Sequence, residues 1–425
     1  MKLLINLCAH DGIISHYNGV GTMTDRYIKA LNQYLLNTNF DYDVNLITPQ
    51  YNYDSFGYSK SYLEMHKFSK FNIIKINNGS KGIINFGTID NWNLLSKNTA
   101  DFINNIDKSV YDKVITIYND TPFAKLANFL KIDHNHITVW IPHSTIKIHC
   151  VDSAIEKNEN YFNKRLIWEE EAINFINSNK NSYVGVIGKY IKSHLIKEYN
   201  LSKNKTLKIF NGELLFDKRQ LDKVDECEKL YKKIFNFKEI IVSFSRAEIY
   251  KNLEATMRLG KNINIPTIVI AQGYYKNQPL IKKYKKCAKE NGSLLFVDSP
   301  FDFSWYILQN FNGKIIVILP SKKEVMGLII NEIRKLNRDN ILLVANNIDG
   351  LKEQIDDKKN GLLINVDDID NSIFKIKKYF NLRKMRDFNN NSWNKLVNNY
   401  NLENNFNSFI GVLINKHGFI VRGKK

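Results

Sequence analysis

Residues 319–332, Leu-Pro-Ser-Lys-Lys-Glu-Val-Met-Gly-Leu-Ile-Ile-Asn-Glu, decide the fold that the sequence predicts. A buried strand is expected to end at Pro320, a short loop carries Glu324, and a helix is expected to begin near Gly327 with Glu332 inside it. Ligands of parallel α/β folds bind at the carboxyl edge of the sheet, so two carboxylates and the positive end of a helix dipole are expected there. The first amides of a helix suit phosphate oxygens, and carboxylates suit sugar hydroxyls.

A second segment, residues 243–254 (Ser-Phe-Ser-Arg-Ala-Glu-Ile-Tyr-Lys-Asn-Leu-Glu), adds two cations to the same edge. Arg246 and Lys251 follow a strand-like run at residues 240–244. Two cations in this position can neutralise a diphosphate leaving group without a divalent metal. Taken alone, the segment fits a solvated basic loop equally well.

The C-terminal half around these segments alternates β-branched apolar runs with stretches of helical length, such as residues 278–291 and 326–338. Continuous apolar strands separated by helices are typical of a parallel sheet that is covered on both faces. We therefore expect a doubly wound nucleotide-binding domain. Its strands are predicted at residues 240–244, 267–271, 294–297, 315–319, 341–345 and 362–366.

The N-terminal half shows a looser version of the same alternation. A helix is expected to begin near Thr22, because Thr22 and Asp25 have the spacing of a capping box ahead of an apolar face. A second Rossmann-like domain is therefore predicted. Its strands are expected at residues 3–7, 44–48, 72–76, 114–117 and 137–141.

The boundary between the two domains is predicted near Asn211-Gly212, which favours a sharp turn after the strand-like run 206–210. The N-terminal domain is then residues 1–210 and the C-terminal domain residues 211–370. Residues 371–425 are expected to form helices that pack across both domains, followed by a basic tail.

The formal net charge of +18 favours an anionic partner. An excess of Lys, Asn and Ile, as in proteins from AT-rich genomes, explains the charge without such a partner and is the favoured interpretation. A membrane surface is the favoured anionic partner, because basic residues crowd two predicted helices. Nucleic acid is not expected, since no basic module with interleaved aromatics is found. The crowded residues are Lys282, Lys283, Lys285, Lys286 and Lys289 in one helix, and Lys375, Lys377, Lys378, Arg383, Lys384 and Arg386 in the other.

The apolar runs are of strand length, so no transmembrane helix is predicted. Residues 1–8 are interpreted as a first strand, since no small-residue cleavage site follows before His10 and Asp11. The 4 cysteines have no Cys-x-x-Cys spacing, which fits reduced thiols. The sequence thus predicts a cytoplasmic protein and leaves open a peripheral contact with the inner membrane surface.

Three further motifs are interpreted as structural. Asp41-Tyr-Asp43 matches a metal-binding pattern but leads directly into a predicted strand. His134-Asn-His136 spells a nuclease-like triplet and is expected to be an ordinary loop. His143, His149 and Cys150 lack a fourth ligand at suitable spacing, so no metal site is predicted.

Several motifs together resemble the retaining family-4 glycosyltransferases. They are the run 246–251, the pair Glu324 and Glu332 with Gly327 between them, and residues 345–353 followed by Asn360-Gly-Leu-Leu363. The loop Asn18-Gly-Val-Gly21 and the segment Trp140-Ile-Pro-His-Ser144 are similar to the family's N-terminal loops, more weakly. The resemblance runs from about residue 3 to residue 365. It implies the GT-B architecture, in which two Rossmann-like doubly wound domains face each other across a cleft.

The resemblance also implies roles for individual residues. Arg246 and Lys251 would hold the donor diphosphate, Glu332 the ribose hydroxyls, and Glu324 hydroxyls of the transferred sugar. His143 would lie near the sugar and its phosphate, and the nucleotide base is placed near Val297 by strand position alone. Backbone close to the donor would come from Gly19, Gly21, Met326, Gly327, Leu328 and Ile329.

The implied reaction moves a sugar from a UDP or GDP donor to a hydroxyl acceptor with retention of configuration and without a metal or cofactor. Val325 and Met326 depart from the family, which usually has a small residue and then an aromatic there, so the identity of the sugar stays open. Two alternatives remain: a hydrolase or phosphorylase on the same fold, and a scaffold without activity. The acceptor is not predicted.

Overall fold

The computed structural model describes residues 1–15, 18–50, 64–79, 87–149, 159–217, 221, 223–273 and 278–416. They form two compact units, Met1–Leu214 with Asn401–Lys425, and Leu215–Tyr400. The first boundary falls close to the predicted residue 210, and the second unit includes helices that the prediction assigned to residues 371–425. The predicted packing of those helices across two domains stays a prediction.

The first unit is built on a seven-stranded sheet with the order β3-β2-β1-β4-β5-β6-β7. Every pair of neighbours is parallel. Strands β1 to β5 are the predicted ones, and their bounds agree with the prediction within a few residues. The strands are β1 Lys2–Cys8, β2 Asp41–Pro49, β3 Phe71–Ile76, β4 Lys113–Asn119, β5 His136–Ile141, β6 Ser182–Val186 and β7 Thr206–Lys208.

Helices connect these strands, as parallel pairing requires. The last helix of the chain, Leu402–Asn415, returns to this unit, where the ring of Phe406 stacks on Tyr27 with centroids 5.5 Å apart. The other helices are Gly19–Leu36, Ile89–Asn104, Leu126–Phe129, Ile146–His149, Glu159–Ser178 and Lys189–Glu198, with 3₁₀ turns at Lys108–Val110, Thr121–Phe123 and Lys203–Lys205.

The second unit is built on a six-stranded parallel sheet with the order β10-β9-β8-β11-β12-β13. All six strands were predicted. Ile240 and Val242 of β8 pack into the core on one face, and Ile241 packs into the core on the other. The strands are β8 Glu239–Arg246, β9 Thr267–Gln272, β10 Leu294–Val297, β11 Lys314–Leu319, β12 Ile341–Asn346 and β13 Leu362–Ile364.

Burial of both faces explains why these strands are continuous apolar runs rather than alternating ones. The 3₁₀ turn Ile249–Lys251 follows β8. The helices of the unit are Val224–Tyr231, Leu253–Ile263, Gln278–Asn291, Phe303–Asn310, Leu328–Lys335, Asp349–Lys352, Ile369–Tyr379 and Leu382–Asn399.

Two local predictions were wrong. The first helix begins at Gly19 rather than near Thr22, because the side chain of Asn18 accepts hydrogen bonds from the amides of Val20 and Gly21 and caps the helix one turn earlier. His136 belongs to strand β5 rather than to a loop: its buried ring pairs with Thr116 Oγ1 at 2.9 Å. The β6 strand was not predicted.

Within the described part of the chain, no helix combines the length and apolar character that crossing a bilayer requires. Cys8, Cys227 and Cys287 are free thiols. Cys150 lies outside the described residues.

Candidate functional site

The loops that follow β8 and β11 meet at one edge of the second sheet, because these two strands are direct neighbours. The amide of Lys322 donates to the carbonyl of Tyr250 at 2.7 Å. The side chain of Asn252 donates to the carbonyl of Pro320 at 3.3 Å. Two segments that are far apart in the sequence are therefore bound to each other at the carboxyl edge, where parallel sheets bind ligands.

Lys251 and Glu324 are in direct contact within this corner. The Lys251 ammonium donates to Glu324 Oε1, and the hydroxyl of Ser321 donates to the same oxygen at 3.2 Å. The Lys251 side chain is 15% exposed and that of Glu324 is 21% exposed. Both are therefore largely shielded from bulk water but remain accessible to a ligand. An ion pair in such surroundings fixes the position of both groups.

Arg246 ends β8 beside this pair. Its guanidinium pairs with Glu248 at 3.0 Å and donates to the Tyr250 hydroxyl at 3.3 Å, while about half of the side chain is exposed. Burial, together with the charge of Glu248, raises the pKa of Tyr250 above its ordinary value, so this hydroxyl stays protonated. Arg246 thus presents a fixed positive charge at the rim of the corner.

The helix Leu328–Lys335 begins at the same edge, with Gly327 at its N-cap and no side chain capping it. The carbonyl of Gly327 accepts from Gln354 Nε2 at 3.1 Å. A Cβ at residue 327 would lie 2.7 Å from Leu351 Cδ2, so the Leu351 side chain would have to shift to admit a larger residue. The start of this helix adds its dipole to the charges of Arg246 and Lys251.

The other residues predicted to bind a donor in this unit differ in burial and in their distance from β8. Met326 is buried, and its side chain packs with Leu396 and Tyr400. Leu328, Ile329 and Glu332 are partly exposed in the helix that follows. Val297 ends β10, two strands from β8, and packs against the core.

Asn346 and Gly350 support the corner from the neighbouring strand, and sequence reasoning gave neither a role. Asn346 Nδ2 donates to the carbonyl of Ser321 at 3.0 Å, which fixes the loop that carries Glu324. Gly350 lies against the carbonyl of Glu324, and a side chain there would overlap it. The signal that could have identified them is their position at the end of β12 and in the short helix after it, because β12 is the neighbour of β11.

In the first unit, His143 follows β5 at the carboxyl edge. Its Nε2 atom is buried and has no hydrogen-bond partner among the described residues. Burial lowers the pKa of His143 to about 4 against the opposing charge of Asp120, with a smaller lowering by His10, so the ring is neutral at pH 7. A neutral imidazole with a vacant nitrogen can donate to or accept from a polar ligand group.

Other buried polar atoms lie at the same edge of the first unit. Thr48 follows Ile47 on β2, and Asn119 ends β4; the strand register brings both to the same level. The hydroxyls of Thr48 and Ser144 and both side-chain atoms of Asn119 are buried without a hydrogen-bond partner in the described part of the chain. Unpaired buried polar atoms are costly unless a ligand or water satisfies them.

The loop after β1 is organised by Asp11, which the sequence analysis did not identify. The Asp11 carboxylate accepts from the Gly12 amide at 3.0 Å, the Ser15 hydroxyl at 2.8 Å and the Asn18 amide at 3.0 Å. A Cβ at Gly21 would overlap this carboxylate. Gly21 therefore allows close packing within the loop, and the predicted contact of Gly19 and Gly21 with a donor stays a prediction.

The structure thus brings Arg246, Lys251, Glu324 and the start of the helix Leu328–Lys335 together in the second unit, and places His143 at the equivalent edge of the first. In the ranges that the structure describes, no group of three or more His, Cys, Asp and Glu residues could hold a metal ion. Cys150 lies outside those ranges, so the set His143, His149 and Cys150 cannot be compared with that finding.

No protein-family model matches this sequence, and no curated protein matches it in sequence. Solved structures are similar over nearly the whole chain. Sucrose-phosphate synthase from Thermosynechococcus elongatus has a TM-score of 0.70 and 14% identity, and the alignment covers 97% of this chain and 98% of that one. A glycosyltransferase from Rickettsia africae has a TM-score of 0.66, 16% identity and 97% coverage of both chains.

HepE from Anabaena, solved in complex with UDP and glucose, has a TM-score of 0.66 and 14% identity, with 97% of this chain and 99% of that chain covered. At these identities the similarity defines the fold. The chain has the α/β fold of the GT-B glycosyltransferases, with two parallel sheets of seven and six strands and flanking helices. The fold class predicted from the sequence is therefore confirmed.

Proposed function

We propose that this protein is a retaining glycosyltransferase of the family-4 type, which moves a sugar from a nucleotide diphosphate donor to a hydroxyl acceptor. The contact between Lys251 and Glu324 carries the proposal. It places a cation that suits a diphosphate beside a carboxylate that suits sugar hydroxyls, at the start of a helix and at the edge of a sheet where ligands bind. The complex of HepE with UDP and glucose supports a donor of this class.

In the proposed mechanism, Arg246, Lys251 and the first amides of the helix Leu328–Lys335 hold the diphosphate oxygens. The bond between the anomeric carbon and the diphosphate oxygen breaks while the acceptor oxygen bonds to that carbon from the same face. A donor phosphate oxygen takes the acceptor's proton, so the products are the glycoside and the nucleoside diphosphate. No side-chain nucleophile is needed, and charge stabilisation of the leaving group supplies the catalysis.

Glu324 would accept hydrogen bonds from hydroxyls of the transferred sugar, and Glu332 from those of the ribose. The neutral ring of His143 would contact the sugar with its vacant nitrogen. Met326 packs inward, which leaves its backbone rather than its side chain to the ligand. The base would lie near Val297, and the protein would act in the cytoplasm without a metal or cofactor.

Turnover of UDP- and GDP-sugars tests the proposal. The protein would be incubated with each donor, with and without a mixed panel of hydroxyl acceptors, in buffer containing EDTA. We expect release of nucleoside diphosphate that depends on an acceptor and persists in EDTA, and a product whose anomeric configuration, measured by NMR, equals that of the donor. Release of free sugar without any acceptor would instead identify a hydrolase, and inverted product would refute retention.

A further inference from the structure

Two large apolar side chains are exposed on the consecutive helices Ile369–Tyr379 and Leu382–Asn399 of the second unit. Phe374 is 68% exposed and Leu382 is 57% exposed. The helices are joined by Phe380 and Asn381 only, and the rings of Tyr379 and Phe388 stack with centroids 5.6 Å apart. Two large apolar side chains exposed on consecutive helices are a candidate contact for a partner.

Four cations lie close in sequence to the two apolar residues. Lys377 and Lys378 lie three and four residues after Phe374, which places them on the same face of their helix. Arg383 and Lys384 follow Leu382 in the first turn of the next helix. We call the six residues Phe374, Lys377, Lys378, Leu382, Arg383 and Lys384 the helix-junction patch.

The charges of the helix-junction patch are available to a partner. Its four cations form no ion pair with a described residue, whereas the nearby Lys375 and Arg386 pair with Asp357 at 2.7 Å and Asp339 at 3.1 Å. Exposed Asp370 lies at the opposite end of the helix Ile369–Tyr379, and the exposed acid closest in sequence to Arg383 and Lys384 is Asp387, one turn after them. The positive end of this surface is therefore the end that carries Leu382.

A groove of about 450 Å³ adjoins the patch, and Lys384 belongs to both. Lys358 and Lys359 line its other side, and Asn390 and Asn391 contribute amide groups. Asp387 is the one acid among the lining residues, so the groove carries a net positive charge. Ammonium and amide donors around a groove suit the phosphate of a lipid headgroup.

The other basic cluster of the sequence lacks the apolar component. On the helix Gln278–Asn291 the exposed face carries lysines, while Leu280, Ile281 and Tyr284 point into the core. Lys283 pairs with Glu254 at 2.5 Å. The structure thus separates two clusters that the sequence presents as equivalent.

We propose that the helix-junction patch docks this protein onto an anionic phospholipid membrane. Phe374 and Leu382 enter the interface between headgroups and acyl chains, and the four cations contact lipid phosphates, one of which lies in the adjoining groove. Cations combined with exposed apolar side chains are the features by which a helix lies on a membrane surface without crossing it. The inference uses no part of the donor site and stands independently of the proposed reaction.

Vesicle co-sedimentation of the full-length protein tests this docking. Wild-type protein is expected to bind vesicles of phosphatidylcholine mixed with phosphatidylglycerol, and not vesicles of phosphatidylcholine alone. Each surface cation contributes about fivefold, so K377E/R383E should weaken binding by roughly 25-fold or more. F374S/L382S should weaken it about tenfold or more, because the apolar contact is lost.

The matched control is K282E/K289E, which makes the same change of charge on the helix Gln278–Asn291 and should keep most of the binding. All variants should show the far-ultraviolet circular dichroism of the wild type. Equal weakening by both pairs of reversals, with no effect of F374S/L382S, would overturn the proposal in favour of unspecific charge attraction. Absence of wild-type binding to anionic vesicles, or stronger binding to single-stranded RNA that is unaffected by F374S/L382S, would also overturn it.

Discussion

Gly350 lies directly against the main chain of Glu324: a methyl group at residue 350 would overlap the Glu324 carbonyl oxygen and lie 2.7 Å from that of Val325. Gly350 is buried in the short helix that follows β12. The glycine therefore allows the loop that carries Glu324 to pack closely against the helix Asp349–Lys352. This relationship makes residue 350 a test of whether the position of that loop matters for catalysis.

G350A is expected to displace the loop of Glu324, lower kcat/KM for the donor by about tenfold or more, and destabilise the protein by about 1–3 kcal/mol through steric overlap. Donor kinetics and urea unfolding measure the two effects. The control is G411A in the helix Leu402–Asn415, where a Cβ meets no atom within 4 Å. It should keep full activity and gain up to about 1 kcal/mol of stability. Wild-type kinetics in G350A would contradict the importance of the loop.

Lys251 is expected to stabilise the departing diphosphate, and its removal should cost activity more than stability. K251A should lower kcat/KM about 10²- to 10³-fold, as for loss of a preorganised donor to a developing negative charge. The matched control is K261A: Lys261 donates to the carbonyl of Glu290 at 3.0 Å and lies on the following helix. K261A should turn over donor at the wild-type rate. Near-normal turnover by K251A would refute the role of Lys251.

The sequence predicts the second sheet well because both faces of it are buried. Runs such as residues 315–319 contain no polar residue, and the helix Gln278–Asn291 has the predicted bounds. The β6 strand Ser182–Val186 was missed because it is short, begins with serine and contains Gly185. The early start of the first helix depends on one side chain, Asn18, whose capping hydrogen bonds compete with the signal at Thr22.

Within the candidate site, Arg246, Lys251 and Glu324 were predicted to share one edge because each follows a strand of the same parallel sheet. The hydrogen bond between Lys251 and Glu324 could not be predicted, because it depends on how two loops separated by 73 residues are tied together. Asn346 was missed for the same reason, since its contact with Ser321 joins residues 25 apart. Such contacts follow from tertiary packing, and local patterns do not contain them.

Glu169 is expected to be a major determinant of the stability of the first unit. Its buried carboxylate accepts from Arg165 Nε at 2.8 Å, from the Tyr199 hydroxyl at 2.6 Å and from the amide of Ile146 at distances of 3.0 and 3.1 Å. E169Q would leave the buried Arg165 without its counter-charge, which should destabilise the protein by about 3–5 kcal/mol in urea unfolding.

The neighbouring residue supplies the control for Glu169. Glu170 is partly exposed, with 43% of its side chain accessible, and lies 3.7 Å from Lys147, so E170Q should change stability by less than about 1 kcal/mol. If the two substitutions have equal effects on the midpoint of unfolding, the buried pair is not the stabilising interaction that its geometry indicates.

His143 is expected to make the protein less stable as the pH falls. Burial lowers its pKa from 6.5 to about 4 in the folded state, so between these values the unfolded chain takes up a proton that the folded chain does not. The titration of His143 therefore leaves the free energy of unfolding unchanged above pH 6.5. As the pH falls from 6.5 towards 4, it lowers that free energy by up to roughly 3 kcal/mol. H143N removes this titration, so its stability should fall less steeply than that of the wild type.

Urea unfolding of wild type and H143N at several pH values between 7 and 4 isolates the effect of His143 on stability. The buried His136 contributes equally to both proteins. H134N, at an exposed position, should keep the wild-type slope. The ring signals of His143 in NMR spectra should stay those of a neutral imidazole down to about pH 5. A midpoint near 6.5 for those signals would show that water reaches the ring, and the vacant nitrogen would then be hydrated rather than held ready for a sugar hydroxyl.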